Sequence, residues 1–237
     1  KVVRLGYVSP QSPSTDMRRV AALRECLREL GYVEGQNLVI EARWADGQLD
    51  RLAPLMAEMV ERNVDVLVTY STPGGVAARK ATSTIPIVLG DIGDAVAAGL
   101  AVSLARPGGN VTGISMGMDQ GMGEKYLQFL LDTVPNLSAV GMIGNPASPF
   151  VRQMAGDLKT VAANRRLKVW YFKVLDSNDI DSAMDQARRH TQAVVVIPDP
   201  LTREHSKKIT ALAAKYRLPA VYGLPEFVDA GGLIVYS

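Results

Sequence analysis

Cysteine, histidine and aromatic side chains are scarce in this 237-residue chain, which has one cysteine, two histidines and 6% aromatics. A single cysteine excludes an internal disulfide, and the chain has no Cys/His set to build a zinc site. Asp179, Asp181 and Asp185 cluster, but helix-start electrostatics explains the first two. Charge of one sign is lacking too. Lys and Arg number 26 against 24 acidic residues, a net charge of +2. The longest basic runs are pairs such as Arg18-Arg19, Arg165-Arg166 and Lys207-Lys208. A nucleic-acid partner would call for a clustered basic face, so none is expected. No apolar stretch approaches the roughly 20 residues of a membrane helix. No G-x-G-x-x-G follows a strand, and the glycine-rich Ser71-Thr-Pro-Gly-Gly75 lacks the lysine spacing of a P-loop. No cofactor is expected. Lys1 leads straight into a strand, so any targeting segment has been removed or never existed.

What is present is alternation. Short aliphatic runs at 2–8, 37–43, 64–70, 85–90 and 111–115 are separated by amphipathic helical patterns. Met17, Val20, Leu23, Leu27 and Leu30 recur at helical spacing, with Ser14 or Thr15 placed to cap the start and Gly31 to stop it. Cys26 sits within this pattern and reads as a buried core thiol. Leu49, Leu52, Leu55, Met56 and Met59 mark a second helix, and a short one is expected near 75–81. Arg106-Pro-Gly-Gly-Asn110 is the clearest break. A second series follows, with helices at 123–133, 149–164 and 202–216, another opening at Asp176-Ser-Asn-Asp179, and strands at 138–143, 167–173, 193–197, 219–222 and 233–236. Such alternation predicts an α/β fold with parallel sheets and helices on both faces. Two similar halves joined near residue 115 predict two similar lobes with a cleft between them. The lobes are expected at 1–115 and 116–230, with 231–237 returning to the first. The chain stops just after an apolar strand, so a trimmed C-terminus is expected.

In open parallel sheets, ligands bind beyond the carboxyl ends of the strands. The candidate residues are those that follow the strands. In the first half these are Ser9 and Pro10, then Ser71, Thr72 and Gly74, then Asp91. Hydroxyls and amides at such a helix start can hold a carboxylate, and Asp91 can pair with an amine. Each also reads as a cap or a turn former. In the second half Met116, Asn145, Asp199, Tyr222 and Glu226 offer the amide, carboxylate, aromatic and thioether groups a small polar solute needs. Turn chemistry for Asn145 and Asp199, and core filling for Met116 and Met118, are the competing readings. Asp94 reads as structural, and Trp44 and Trp170 as packing residues.

Several longer segments are more specific. They are Gly31-Tyr-Val-Glu-Gly-Gln-Asn-Leu-Val-Ile-Glu41 with Arg43-Trp44, Ala81-Thr-Ser-Thr-Ile-Pro-Ile-Val88, Ser103-Leu-Ala-Arg-Pro-Gly-Gly-Asn-Val-Thr-Gly113, and Leu218-Pro-Ala-Val-Tyr222 with Ala230-Gly-Gly-Leu233. In this order they resemble ABC-transporter substrate-binding proteins of the tryptophan/tyrosine-binding type, over essentially the whole chain. The resemblance implies a type I periplasmic-binding-protein (Venus-flytrap) fold, with two Rossmann-like lobes, a ligand cleft between them and three hinge crossovers. It implies an extracytoplasmic or periplasmic receptor with a membrane permease as partner, and a small-molecule solute bound by hinge closure. A monomer is expected, as is a further C-terminal segment. Where the family often has Gly-Asp-Pro-Val, this chain has Gly93-Asp94-Ala95-Val96, so a looser loop is expected there.

Two other classes compete. The same architecture serves as the effector part of transcription regulators. Gly113-Ile-Ser-Met-Gly117 also matches the G-x-S-x-G nucleophile elbow, with aspartates and His205 downstream. That elbow requires a helix directly after the serine, which the Met116–Gly123 stretch does not supply, and an enzyme is not expected.

Overall fold

In the computed structural model, residues 2–116 and 121–236 are described. The chain divides into two compact units, 1–118 and 119–237. Gly117 and Met118, beside that division, lie outside the described residues.

The first unit contains β1 (Val3–Ser9), α1 (Pro13–Glu29), β2 (Leu38–Trp44), α2 (Leu52–Glu61), β3 (Val66–Tyr70), α3 (Ser71–Ala81), β4 (Ile87–Ile92) and β5 (Val111–Ser115). Its sheet is parallel, in the order β2-β1-β3-β4-β5. Tyr7, Leu67, Ile87 and Ile92 are fully buried at its centre, and Met56 and Met59 of α2 pack from one face. The apolar runs form strands because they are short, aliphatic and bounded by turn residues.

The second unit holds α4 (Met122–Thr133), β6 (Ala139–Gly144), α5 (Pro149–Asn164), β7 (Lys168–Lys173), α6 (Asp179–His190), β8 (Ala193–Val196), α7 (Pro200–Glu204), α8 (Ser206–Tyr216), β9 (Ala220–Tyr222), α9 (Glu226–Asp229) and β10 (Ile234–Val235). Its sheet is also parallel, in the order β10-β9-β8-β6-β7. Read from the other edge this is the same winding as the first unit. In each, the strand order reverses beside the unit's first strand, between β1 and β3 and between β6 and β8. In such sheets the reversal opens a crevice at the carboxyl edge.

Several expectations are corrected. The terminal strand does not return to the first sheet. Ile234 and Val235 pair with Val221 and Tyr222. Val235 packs on the second core, and the Tyr236 ring meets Tyr126 and Phe129. Cys26 is exposed, not buried. Helix α1 faces its sheet with Asp16, Val20, Leu23 and Leu27, and Met17 and Leu30 point to solvent, 66% and 75% exposed. Ser12, rather than Ser14 or Thr15, caps α1 by accepting from the Thr15 amide. Finally, α3 begins at Ser71, four residues before the expected start. Pro73 is tolerated in the first turn because its missing N–H would have had no helical partner. Gly74 lets the helix lie against β3, where a Cβ would sit 2.5 Å from the Thr69 hydroxyl.

The expected 202–216 helix is two helices, α7 and α8, that meet at His205. The 93–96 loop is tied down rather than loose. Ala95 is buried, its amide donates to Ser115 Oγ at 3.4 Å, and its carbonyl accepts from Leu100 and Ala101. Asp94 is structural, accepting from the Val96 and Ala97 amides.

Candidate functional site

At the carboxyl edge of the first sheet, β3 runs directly into α3. Tyr70 pairs with Gly90 in register, so Ser71 and Asp91 are the next residues on neighbouring strands. Both have left-handed backbone, with φ of +63° and +58°. Asp tolerates that region better than most residues, whereas for Ser it is uncommon. Helix α3 has no side-chain cap at its start. Its first-turn amides therefore lack the usual side-chain acceptor. The Ser71 hydroxyl is buried and has no hydrogen-bond partner among the described residues. Thr72 beside it is buried as well.

A charged cluster adjoins this helix start. Asp16, in the first turn of α1, is fully buried. It accepts from the Tyr7 hydroxyl at 2.5 Å, from Arg19 Nη1 at 2.7 Å and from Trp44 Nε1 at 3.2 Å. Arg19 also donates to Gln11 Oε1 at 3.3 Å and reaches Asp91 Oδ2 at 3.6 Å. Its guanidinium lies 4.5 Å from the centroid of the Tyr70 ring. That ring in turn covers Gly90, where a Cβ would come within 2.5 Å of it. Burial works against the charge of Arg19, but the Asp16 hydrogen bond and the two carboxylates outweigh it and hold its pKa above the ordinary value. Burial, reinforced by the bond to Asp16, likewise raises the Tyr7 phenol.

Ser9 and Pro10 contribute differently. Ser9 is fully buried, and its hydroxyl donates to Gln11 Oε1 and accepts from the Gln11 amide, both at 3.3 Å. The Pro10 carbonyl accepts from Gly47 N at 2.8 Å. These groups shape the turn into α1. The residues that sequence reasoning missed are Gln11, Asp16, Arg19 and Tyr70. One local signal was available, the Asp16-x-x-Arg19 spacing that brings opposite charges together on a helix.

The corresponding crevice of the second sheet already contains a carboxylate of its own. Asp199 follows β8 and is buried. It accepts from the Asn145 amide at 2.9 Å and the Thr202 amide at 2.8 Å, and completes a capping box with Thr202. Asn145 is spent in the same way. Its Oδ1 accepts from Ala147 N at 2.8 Å and its Nδ2 donates to Leu175 O at 3.3 Å. Turn chemistry therefore accounts for both. Burial raises the Asp199 pKa to about 6 despite the backbone donors. Tyr222 is buried and stacks on Phe227 with centroids 4.4 Å apart. It also lines a groove of about 510 Å³ formed with Thr210, Ala213, Arg217, Leu218 and Ile234. Glu226 pairs with the buried Arg203 at 3.3 Å, and its Oε2 is buried without a hydrogen-bond partner among the described residues. Met116 is 39% exposed.

The packing roles expected of the tryptophans agree with their surroundings. Trp44 is half-buried against the first core, 6.4 Å from the Tyr7 ring. Trp170 is 44% exposed and stacks on His190. Ser115 does not form a nucleophile elbow. It ends β5, and its hydroxyl points back to the Ile92 and Gly93 carbonyls at 3.5 and 3.3 Å. No helix among the described residues is long and apolar enough to cross a membrane.

Two parallel sheets of the same winding, each flanked by helices, define a type I periplasmic-binding-protein fold. The family model for ABC transporter substrate binding proteins matches residues 10–237, and the chain belongs to that family. A curated relative, the tyrosine-binding protein of Clostridioides difficile (strain R20291), is 25% identical over 223 residues. That match covers 94% of this chain and 64% of the relative, so the chain spans slightly under two thirds of the relative's length. A solved conserved domain protein from Vibrio cholerae O1 biovar El Tor superposes with a TM-score of 0.86 at 27% identity, covering 99% of this chain and 78% of that one. An ABC domain from Streptococcus pneumoniae, solved with L-Trp, gives a TM-score of 0.83 at 23% identity, covering 100% of this chain and 80% of that one. The matching family is one of substrate-binding proteins rather than enzymes.

Proposed function

We propose that this chain is the extracytoplasmic, periplasmic receptor of an ABC importer, and that it binds a carboxylate-bearing solute of the amino-acid or aromatic-acid class. The observation that carries this reading is the asymmetry between the two crevices. In the second unit the crevice donors are taken by Asp199, a built-in carboxylate bonded to Asn145 and Thr202 amides. In the first unit the equivalent place has the start of α3, without a side-chain cap, and the Ser71 hydroxyl, without a hydrogen-bond partner among the described residues. Helix N-termini favour anions through both free N–H groups and the dipole. The carboxylate of the solute belongs there, with Ser71 and Thr72 as its donors. The names of the C. difficile and S. pneumoniae relatives, which refer to tyrosine and L-Trp, support an amino-acid ligand.

Transport requires that the solute stabilise a closed form over an open one, which the permease then distinguishes. Hinge closure of a monomer on one solute molecule serves this purpose. The test is a thermal-shift and calorimetric panel of amino acids and aromatic or branched carboxylic acids. A ligand at 100 times its Kd adds about 2.7 kcal/mol of stability. Ser71→Ala should leave unfolding unchanged, because its hydroxyl has no hydrogen-bond partner among the described residues. It should weaken a bound carboxylate about tenfold, the loss of one charge-assisted hydrogen bond. Equal affinity in Ser71→Ala, Thr72→Ala and the unaltered protein would sink the assignment of α3 as the anchor.

A further inference from the structure

The strands of the second sheet start level with one another. Ala139 pairs with Lys168, Val140 with Ala193, Val194 with Ala220 and Val221 with Ile234. The helix ends that lead into these starts lie along one edge of the sheet, opposite the carboxyl edge and its crevice. Basic residues collect there, all of them exposed. Arg165 and Arg166 follow α5, Arg188, Arg189 and His190 close α6, Lys215 and Arg217 close α8, and Lys168 opens β7. Of the acidic side chains nearby, Glu124 holds Arg165 at 3.0 Å, and Asp185 holds Arg188 and Arg189, both at 2.6 Å. Asp132, at the end of α4, accepts from Gln128 at 2.7 Å. Arg166, Lys168, Lys215 and Arg217 have no ion-pair partner among the described residues. The helix dipole favours cations in a last turn, but Lys168 belongs to a strand, and like charges gathered on one edge repel. Apolar side chains share this edge. Trp170, two residues past Lys168, stacks on His190 and is 44% exposed. Leu233, just before Ile234, is 96% exposed. The groove of about 510 Å³ is walled here by Arg217, Leu218, Pro219 and Leu233. Trp170 and Leu233 stand at the two sides of the five-stranded sheet, roughly 19 Å apart at about 4.8 Å per strand.

We propose that this edge of the second sheet is a docking surface for anionic phospholipid, with Arg166, Lys168, Lys215 and Arg217 on the headgroup phosphates and Trp170 and Leu233 at the acyl boundary. Charge complementarity selects an anionic partner. The apolar side chains among the cations select a bilayer over a soluble polyanion, because tryptophan at headgroup level and exposed leucine between basic residues suit the membrane interface. Lysine and arginine stems run along apolar surface while their charges stay among the headgroups. Docked this way, the second sheet turns its carboxyl edge away from the bilayer, toward the solution from which a solute arrives. The docking also confines the receptor to the surface where a permease lies. The solute takes no part in it, so the docking and the receptor reading stand or fall separately.

The experiment is co-sedimentation of the whole chain with phosphatidylcholine vesicles, with and without about one third phosphatidylglycerol. The unaltered protein is expected to bind the phosphatidylglycerol vesicles alone, and less tightly as salt rises. Each basic residue near an anionic surface strengthens binding about fivefold. The edge variant Arg166→Gln, Lys168→Gln, Lys215→Gln, Arg217→Asn should therefore bind on the order of a hundredfold more weakly. Asn suits the left-handed backbone at 217, φ +49°. A control variant loses the same charge elsewhere, as Arg18→Gln, Lys80→Gln, Arg106→Gln, Lys159→Gln, all exposed positions, and should bind within about threefold of the unaltered protein because these sites lie outside the docking edge. Leu233→Ser, which keeps every charge, should weaken binding several-fold. Thermal unfolding checks that each variant is folded. Three results overturn the inference. The unaltered protein ignores phosphatidylglycerol; the edge variant binds as the unaltered protein does; or the control variant loses as much as the edge variant, which reduces the effect to net charge. A fourth also does so: polyglutamate or duplex DNA binds as tightly as the vesicles and Leu233→Ser changes nothing, which makes the edge a surface for soluble polyanions.

Discussion

Replacing Asp16 by Asn tests how far the first unit depends on one buried carboxylate. Asp16 accepts three hydrogen bonds, from Tyr7, Arg19 and Trp44, and is fully buried. Asn keeps one acceptor oxygen and turns an NH2 group toward donors. At least one of Tyr7 and Arg19 then faces a donor. Leaving a buried donor unsatisfied costs about 1–3 kcal/mol. Removing one partner of a buried ion pair costs about 3–5 kcal/mol, but Arg19 is one-quarter exposed and keeps Asp91 nearby, so the lower part of that range or less applies. The expected total is about 3 kcal/mol. With a urea m-value of about 2 kcal/mol/M, the midpoint of the first unit falls by about 1.5 M. The assay is urea unfolding followed by tryptophan fluorescence in a Trp170→Phe background, which leaves Trp44 as the sole reporter. Trp170 is 44% exposed on the second unit, so its removal is mild. The double variant Asp16→Asn, Arg19→Gln should recover at least 1 kcal/mol relative to additivity, because the unpaired cation is gone. A midpoint shift below about 0.3 M, or strict additivity, would refute the reasoning and make Arg19 a solvated surface charge.

Two further outcomes follow from the second sheet and the edge of the first. Asp199 has a folded-state pKa of about 6 against an ordinary 3.8. The native state therefore binds its proton more tightly. Its contribution is fully present below about pH 4, is lost as pH rises from 4 to 6, and is flat above, about 3 kcal/mol across the window. Unfolding midpoints of the second unit between pH 4 and 7 should show this fall. Asp199→Asn should abolish it and cost about 1–3 kcal/mol at neutral pH, because its NH2 cannot accept from the Asn145 amide; a pH-independent midpoint in the unaltered protein would contradict the assignment. Gly113 has φ +144°, and a Cβ there would lie 2.0 Å from the Leu89 carbonyl oxygen. Gly113→Ala should cost about 3 kcal/mol or more by detaching β5, seen as rapid amide exchange at 111–115; retained protection would show that the strand can shift to make room.

The amino-acid order shows the alternation of strands and helices, the parallel sheets and the two-fold repetition, because apolar periodicity and turn residues are local signals. It points equally to the carboxyl edges, since strand ends are marked by Ser9-Pro10, Ser71-Thr72 and Asp91. Several partners at those edges were out of its reach. Asp16 and Asp91 are 75 residues apart in the chain, yet Arg19 touches both. Asn145 and Asp199 are 54 residues apart and hydrogen-bonded. Nothing local distinguishes a carboxylate that caps a turn from one left beside a cation.

Composition, periodicity and motif order thus determined the fold class and the family by themselves, because both rest on patterns that recur within a few residues or persist along the whole chain. Only the tertiary structure decided which polar groups are already paired. Burial makes an unpaired donor or charge costly, and pairing depends on which strand ends the winding brings together. In this protein the winding pairs Asp199 with backbone amides in the second unit and, among the described residues, leaves the Ser71 hydroxyl unpartnered and the start of α3 without a side-chain cap in the first.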